Sequence, residues 1–256
     1  MLDKKNNFIL QVQKKINKIS LSNTNLKIYY KKKSNKKQVF TNLDVKIEKF
    51  LRKEIKNKFP NDNIIGEELK NKPNLSKFTW YIDPVDGTKN LIINIPTWSN
   101  MIGLFYEEKA INSLINFPEM NKFYYSIKSK SFINKKNKVK KIKSSKIRLV
   151  KDAKIVFNSL HVLKSKKVLN FVKRFKNFTR VTGIDAYNFC LIAEGKIDVL
   201  IEKGLKIVDI MPIIALIENS GGIITDWQGN RNFKKGEILV AGNKYLHKKV
   251  LSLLKS

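Results

Sequence analysis

The chain has 256 residues, 42% of them hydrophobic, and carries 52 Lys and Arg against 21 Asp and Glu, a formal net charge of +31. That is enough apolar material for a large core and excludes a disordered chain. The single cysteine, Cys190, excludes an intramolecular disulfide and fits a reducing compartment. In chain order, Phe8, Ile9, Val12, Ile16 and Ile19 recur at helical spacing, so the pattern predicts a first amphipathic helix over about 2–20. Residues 27–37 read as a lysine-rich connection. A second helix is predicted over 44–59 from Val45, Ile47, Phe50, Leu51, Ile55 and Phe59, ending before Pro60. From 78 to about 133 the pattern changes to short strands, with 78–82, 101–106, 110–116 and 122–127 as antiparallel candidates. The lysine run from Lys135 to Lys146 reads as a solvated loop. Beyond it, strands are predicted at 154–158, 179–181, 197–201, 223–226 and 237–241, and helices at 164–175, 185–194, 209–218 and 244–254. The sum is an α/β, or α+β layered, fold. No apolar run approaches the roughly 18 residues that a membrane span needs, and polar residues interrupt the N-terminus before a signal-peptide core could form. A cytoplasmic protein that does not enter membranes is expected.

The charge itself invites a nucleic-acid reading, because a basic surface concentrates polyanions. Only five of the 52 basic residues are arginine, however: Arg52, Arg148, Arg174, Arg180 and Arg231. Readers of bases and phosphates favour the arginine fork. Abundant Lys, Asn and Ile is also what an A/T-biased coding sequence produces by drift at exposed positions, which lowers the information in each lysine. A nucleic-acid-associated protein with a secondary enzymatic site therefore stays as a reading from another class, and is not the preferred one.

The acids are more telling. The run Asp83-Pro84-Val85-Asp86-Gly87-Thr88 sets two carboxylates, a glycine and a hydroxyl at the end of the apolar stretch from Phe78 to Ile82. Pro84 is expected to stop the strand and turn the chain, leaving Asp83 and Asp86 on the rim. Gly87 and Thr88 then offer backbone amides to a phosphate. Glu67 and Glu68 follow Ile64-Ile65-Gly66 in the same manner, and Asp209 stands far downstream. Glu67, Asp83, Asp86 and Asp209 together suit a hard cation such as Mg²⁺. Pro212 suggests a helix starting at or near Asp209, whose carboxylate could otherwise be only an N-cap.

Gly66-Glu67-Glu68, then Ile82-Asp83-Pro84-Val85-Asp86-Gly87-Thr88-Lys89-Asn90, then Val208-Asp209-Ile210 running to Glu218-Asn219-Ser220-Gly221-Gly222, resembles the signature set of the inositol monophosphatase family. Thr41-Asn42-Leu43-Asp44 resembles that family's upstream Thr-x-x-Asp element, so the match runs from about Val39 to about Gly242. The resemblance implies alternating layers of helices and two sheets in one unit over 1–256. Its first half, to about 145, carries most metal ligands, and its second half, 146–256, carries Asp209 and the substrate-selecting residues. It further implies two to three Mg²⁺ ions, with Glu67, Asp83 and the Val85 carbonyl holding one and Asp83, Asp86 and Asp209 a second. Water would be activated by Glu67, or by Thr88 hydrogen-bonded to Asp44, while Gly87 and Thr88 bind phosphate. A homodimer is family habit. Met211-Pro212 departs from the small residues usual there and bears on the pocket wall.

Several phrases look more like the histidinol-phosphate phosphatase branch. They are Pro96-Thr97-Trp98 with Met101-Ile102-Gly103-Leu104, Gly183-Ile184-Asp185-Ala186-Tyr187, Glu202-Lys203-Gly204-Leu205-Lys206 before Asp209, and Thr225-Asp226-Trp227. By that resemblance Asp185 and Glu202 lie near the leaving group, where acids suit the ammonium and imidazole of histidinol phosphate as well as polyol hydroxyls. The expected activity is Mg²⁺-dependent hydrolysis of L-histidinol phosphate. Inositol 1-phosphate or another small sugar or nucleotide phosphate is the alternative substrate.

Overall fold

A computed structural model describes residues 2–22, 25–33, 36–72, 74–175 and 179–255, with the side chains of 32, 33, 36 and 37 outside that description. The elements in chain order begin with α1 (Leu2–Leu21), the hairpin β1 (Ile28–Lys33) and β2 (Lys36–Thr41), α2 (Asn42–Lys58), β3 (Asn63–Gly66), β4 (Phe78–Asp86) and α3 (Thr88–Ile92). A meander follows: β5 (Ser99–Tyr106), β6 (Lys109–Phe117), β7 (Lys122–Ile127), β8 (Lys130–Lys135) and β9 (Lys138–Lys141). The second half contains β10 (Ile155–Phe157), α4 (Lys166–Arg174), β11 (Thr179–Val181), α5 (Ala186–Ala193), β12 (Val199–Lys203) and α6 (Ile207–Ile210). It ends with α7 (Ile214–Ser220), β13 (Ile223–Thr225), β14 (Glu237–Ala241) and α8 (Lys244–Lys255).

β3 to β9 form one seven-stranded sheet in sequence order, and a five-stranded sheet runs β11-β10-β12-β14-β13. Strand alternation decides what packs where. Ile102 and Leu104 of β5 meet α1 and α2 through Phe8, Val12, Ile47 and Leu51. Met101 and Phe105, on the opposite face, join Phe189 and Cys190 of α5 and Leu216 and Ile217 of α7. Leu200, Ile238 and Val240 of the smaller sheet close that middle layer from the other side. Val199, Ile201 and Leu239 face outward onto α4 and α8. Helix and sheet thus alternate through five layers, as expected for this class.

Three expectations change. The lysine-rich connection at 27–37 is a two-stranded antiparallel hairpin with Tyr30 opposite Val39; its tip at 34–35 lies outside the described residues. The lysine loop contains β9, paired with β8 across Lys136-Asn137, both at positive φ. Such a two-residue reversal matches strand twist, and lysines on an edge strand discourage pairing with another chain. Lastly, β4 does not stop at Pro84. It runs to Asp86, with a register shift against β5 between Asp83 and Asp86. The proline's missing N–H falls in that bulge, where no ladder bond is lost.

Neither histidine belongs to the acidic motifs, and His247 is 6% exposed on α8 against Thr225 Oγ1 at 2.9 Å. Thr225 Oγ1 donates to the Asp226 carbonyl, so His247 Nε2 carries the proton toward it. Burial pulls the imidazole down to about 4. The unfolded chain therefore binds a proton that the fold refuses, and stability falls as pH drops from about 6.5 toward 4, by about 3 kcal/mol at most. In urea titrations at pH 7 and pH 4.5, His247→Gln should lose less stability than the parent between the two. An identical pH response in both proteins refutes a neutral buried imidazole.

Candidate active site

The pairing of β3 with β4 is parallel and sets Gly66 opposite Ile82. The next residues on each strand, Glu67 and Asp83, therefore emerge side by side. Glu48 of α2, fully buried, holds the loop after β3 by accepting the N–H groups of Glu68 at 2.7 Å and Leu69 at 3.2 Å. Arg52 donates to the same carboxylate at 2.8 Å, so its charge is compensated. On β4 the bulge is braced from behind: Asn100 Nδ2 donates to the Pro84 carbonyl at 2.8 Å, and Asn100 Oδ1 accepts from Asn116 and from Ser20 of α1. Asp83 Oδ1 accepts the Val85 N–H at 3.1 Å. Local sequence supplies the acids, and buried amides fix their direction.

Asp209 comes from the other half of the chain. The helix starts at Ile207, two residues earlier than the proline suggested, so Asp209 is not an N-cap but the third helical residue. Its Oδ2 accepts the Lys206 N–H at 2.7 Å, satisfying one orphan donor of the first turn. Pro212 lies at the start of the following 3₁₀ turn, Met211–Ile213, where it again costs no bond. Glu67, Asp83 and Asp209 thereby bring carboxylate oxygens within 4.8 Å of one another. Burial, then the neighbouring Glu67, Asp86 and Asp209 charges, raises the Asp83 carboxyl well above its usual range. Burial with Glu67 beside it brings Asp209 to about 7. A set of oxygen donors so crowded fits a hard divalent cation, which would relieve the repulsion.

Asp86 sits close by, its Oδ2 accepting the Ala186 N–H at the start of α5 at 2.8 Å. Burial, then Asp185 and Asp209, raises its carboxyl too. Thr88 Oγ1 lies 3.1 Å from the Val85 carbonyl and 3.4 Å from Asp44 Oδ1. Asp44 closes the first turn of α2 in a capping box with Thr41, and its burial pushes the carboxyl up to about 7. Gly87 adopts φ +77, and an added Cβ there would come within 2.8 Å of Asp185 Oδ2, so only glycine fits.

Asp185 is held unusually firmly. Its backbone has φ 44 and ψ −127, a strained combination for a residue with a Cβ. Asn158 grips it twice, accepting its N–H at 2.8 Å and donating to Oδ1 at 2.7 Å, and Asn90 donates to Oδ2 at 3.1 Å. Glu202 is not among the residues lining this cleft. It is 2% exposed and accepts from the Asn158, Ser159 and Lys203 N–H groups and the Ser159 hydroxyl. Those bonds fix the turn from which Asn158 reaches Asp185. Trp227 packs in the outer layer, its Nε1 donating to the Ile238 carbonyl.

The acids line one cleft of about 770 Å³, which also contains Gly87, Thr88, Lys89 and Asp185. Its lining also includes Tyr30 and Val39 of the hairpin with Ile92 of α3 and Ile93 just after it, and Lys206 reaches across to pair with Glu67. Sequence reasoning missed Lys206, Asn158 and Tyr30. Lys206 stood inside a quoted phrase but looked like any other lysine, and the other two acquire meaning only through tertiary contact.

Residues 2–256 match the sequence model of the inositol monophosphatase family. The chain belongs to that family. A histidinol-phosphatase of Chlorobaculum parvum is 28% identical over 218 residues, covering 84% of this chain and 82% of the relative. A fructose-1,6-bisphosphatase/inositol-1-monophosphatase of Aquifex aeolicus is 30% identical over 206 residues, covering 77% and 74%. In three dimensions the chain superposes on an IMPase/NADP phosphatase complexed with Mg²⁺ and phosphate with a TM-score of 0.83 at 21% identity, covering 100% of this chain and 96% of the other. The layered α/β fold of the inositol monophosphatase family is therefore this chain's fold, and phosphatase chemistry is its class. Among the described residues, no helix is long and apolar enough to cross a membrane.

Proposed function

We propose that this inositol monophosphatase family member is a Mg²⁺-dependent phosphomonoesterase that hydrolyses L-histidinol phosphate to L-histidinol and phosphate. The observation that carries the substrate is Asp185, a carboxylate held rigidly in the wall of the cleft that also contains the acid cluster. A fixed acid there would favour a substrate with an ammonium or imidazolium near its phosphate over a neutral polyol. The likeness to the Chlorobaculum parvum histidinol-phosphatase supports the same choice.

Glu67, Asp83, Asp86, Asp209 and the Val85 carbonyl are the proposed holders of two to three Mg²⁺ ions. When bound, the ions supply charge stabilisation for the attacking and leaving oxygens of an in-line displacement. The chain's own part is positioning and proton transfer. Gly87 and Thr88 would offer their amides to the phosphate at the start of α3. Thr88 Oγ1, between Asp44 and the Val85 carbonyl, would take a proton from the attacking water while passing its own to Asp44 Oδ1. An Asp44 carboxyl near 7 is matched to that exchange at neutral pH. Asp185 would bind the leaving group, and Glu202 would act through the Asn158 turn that holds Asp185.

Phosphate release from histidinol phosphate and inositol 1-phosphate, measured side by side with Mg²⁺, tests the reading. Asp185→Asn should lower kcat/KM for histidinol phosphate by roughly 10- to 100-fold and leave inositol 1-phosphate far less affected. Turnover of inositol 1-phosphate alone would reassign the substrate and keep the chemistry.

A further inference from the structure

Among the described residues, Lys206 is the cation that pairs with the carboxylate trio. Its Nζ pairs with Glu67, and its side chain retains 32% of its exposure, so the head lies at the open side of the cleft. The backbone beneath it is fixed, since its N–H is donated to Asp209. Without a cation among them, three carboxylates within 4.8 Å would repel strongly in a buried setting. An ammonium at Glu67 offsets part of that repulsion.

The same ammonium becomes a liability once a dication binds Glu67, because two positive centres then face each other. Among the described residues, the neighbouring acids give it no new partner: Asp83 and Asp209 would share the dication, Glu68 is paired with Lys31, and Asp185 already accepts from Asn158 and Asn90. An anion in the cleft is the compensation left. We infer that Lys206 is a resident counter-ion which divalent metal displaces from Glu67 and which then binds the substrate's phosphate, so that metal and phosphate bind cooperatively. This rests on the metal-dependent phosphatase reading and deepens it. It gives the fold a built-in resistance to loading with metal when no phosphate ester is present, and a reason for the two to enter together.

Isothermal titration of the metal-stripped full chain with Mg²⁺, alone and with inorganic phosphate, tests it without any turnover. The parent protein should bind Mg²⁺ roughly tenfold more tightly with phosphate present. Lys206→Met should bind Mg²⁺ alone roughly tenfold more tightly than the parent and gain little from phosphate. Lys206→Arg, which keeps the charge, should retain the phosphate effect and shows that a loss in Lys206→Met is not a folding defect. Unchanged Mg²⁺ affinity in Lys206→Met, or an intact phosphate effect, overturns the inference while leaving the metalloenzyme reading standing. A parent protein that takes up no Mg²⁺ overturns both.

Discussion

Asp83→Asn is expected to lower phosphate release by about three orders of magnitude or more, the largest effect of any single carboxylate replacement in the cleft. Asp83 is 1% exposed and stands between Glu67 on the parallel neighbour and Asp209 on α6. It is thus the acid that a cation in this cluster would share most widely. The amide keeps the shape and the Oδ1 acceptor for the Val85 N–H, so the bulge survives. What it removes is one negative charge that burial and four acidic neighbours already disfavour. The metal-free variant should accordingly be as stable as the parent at neutral pH, or more so, when compared by urea denaturation. Mg²⁺ should raise the melting temperature of the parent and not that of Asp83→Asn, because only a site that binds the folded state shifts its stability. Retained activity, or an equal Mg²⁺ shift in both proteins, would remove Asp83 from the site.

How much of this was legible in the sequence follows from where each signal is stored. The carboxylates were legible because Asp83, Asp86, Gly87 and Thr88 are contiguous, and because Glu67 and Asp209 each follow an apolar run or phrase of their own. Helices α1, α2 and α8 were legible from periodicity alone, which is a local property. The hairpin β1-β2 and strand β9 were not, because lysine-rich sequences such as Ile28–Lys33 and Lys138–Lys141 carry no apolar alternation; backbone pairing with a neighbour defines them. Pro84 misled for a related reason. A proline reads as a strand stop, yet a bulge accepts it when β5 continues alongside and Asn100 binds its carbonyl. Asn158 and Glu202 lie 44 residues apart and Asn158 and Asp185 27 apart, so the scaffold behind Asp185 exists only after the smaller sheet has formed. Glu202 was expected at the substrate for its charge; its place was decided by four donors that a linear reading does not reveal.

Gly103→Val should damage both stability and metal binding although it replaces none of the acids, and the reason lies in how Asp209 is delivered to Asp83. Gly103 is on β5, paired with Tyr81 of β4 and Ser113 of β6, and faces the middle layer. A Cβ there would lie 2.6 Å from Pro212 Cα, 3.1 Å from Pro212 N and 3.2 Å from the Met211 carbonyl oxygen. All three are backbone atoms, so no side-chain rotation relieves the clash. The 3₁₀ turn Met211–Ile213 continues directly from α6, and it rests on β5, beside the Asp83 strand, where Gly103 leaves the sheet bare. Met211-Pro212 is in this way part of the joint that carries Asp209 to the Asp83 strand. A side chain at 103 must lift that turn, and Asp209 three residues upstream moves with it. Overpacking should cost about 3 kcal/mol for valine and less for alanine, which also gains from restricting the unfolded chain. Urea denaturation measures the first effect. The decisive measurement is Mg²⁺ binding by the fraction that still folds: Gly103→Ala should bind metal more weakly even where its stability is close to the parent's. Full affinity in Gly103→Ala would mean that α6 is positioned by its own contacts and not by the sheet beneath it.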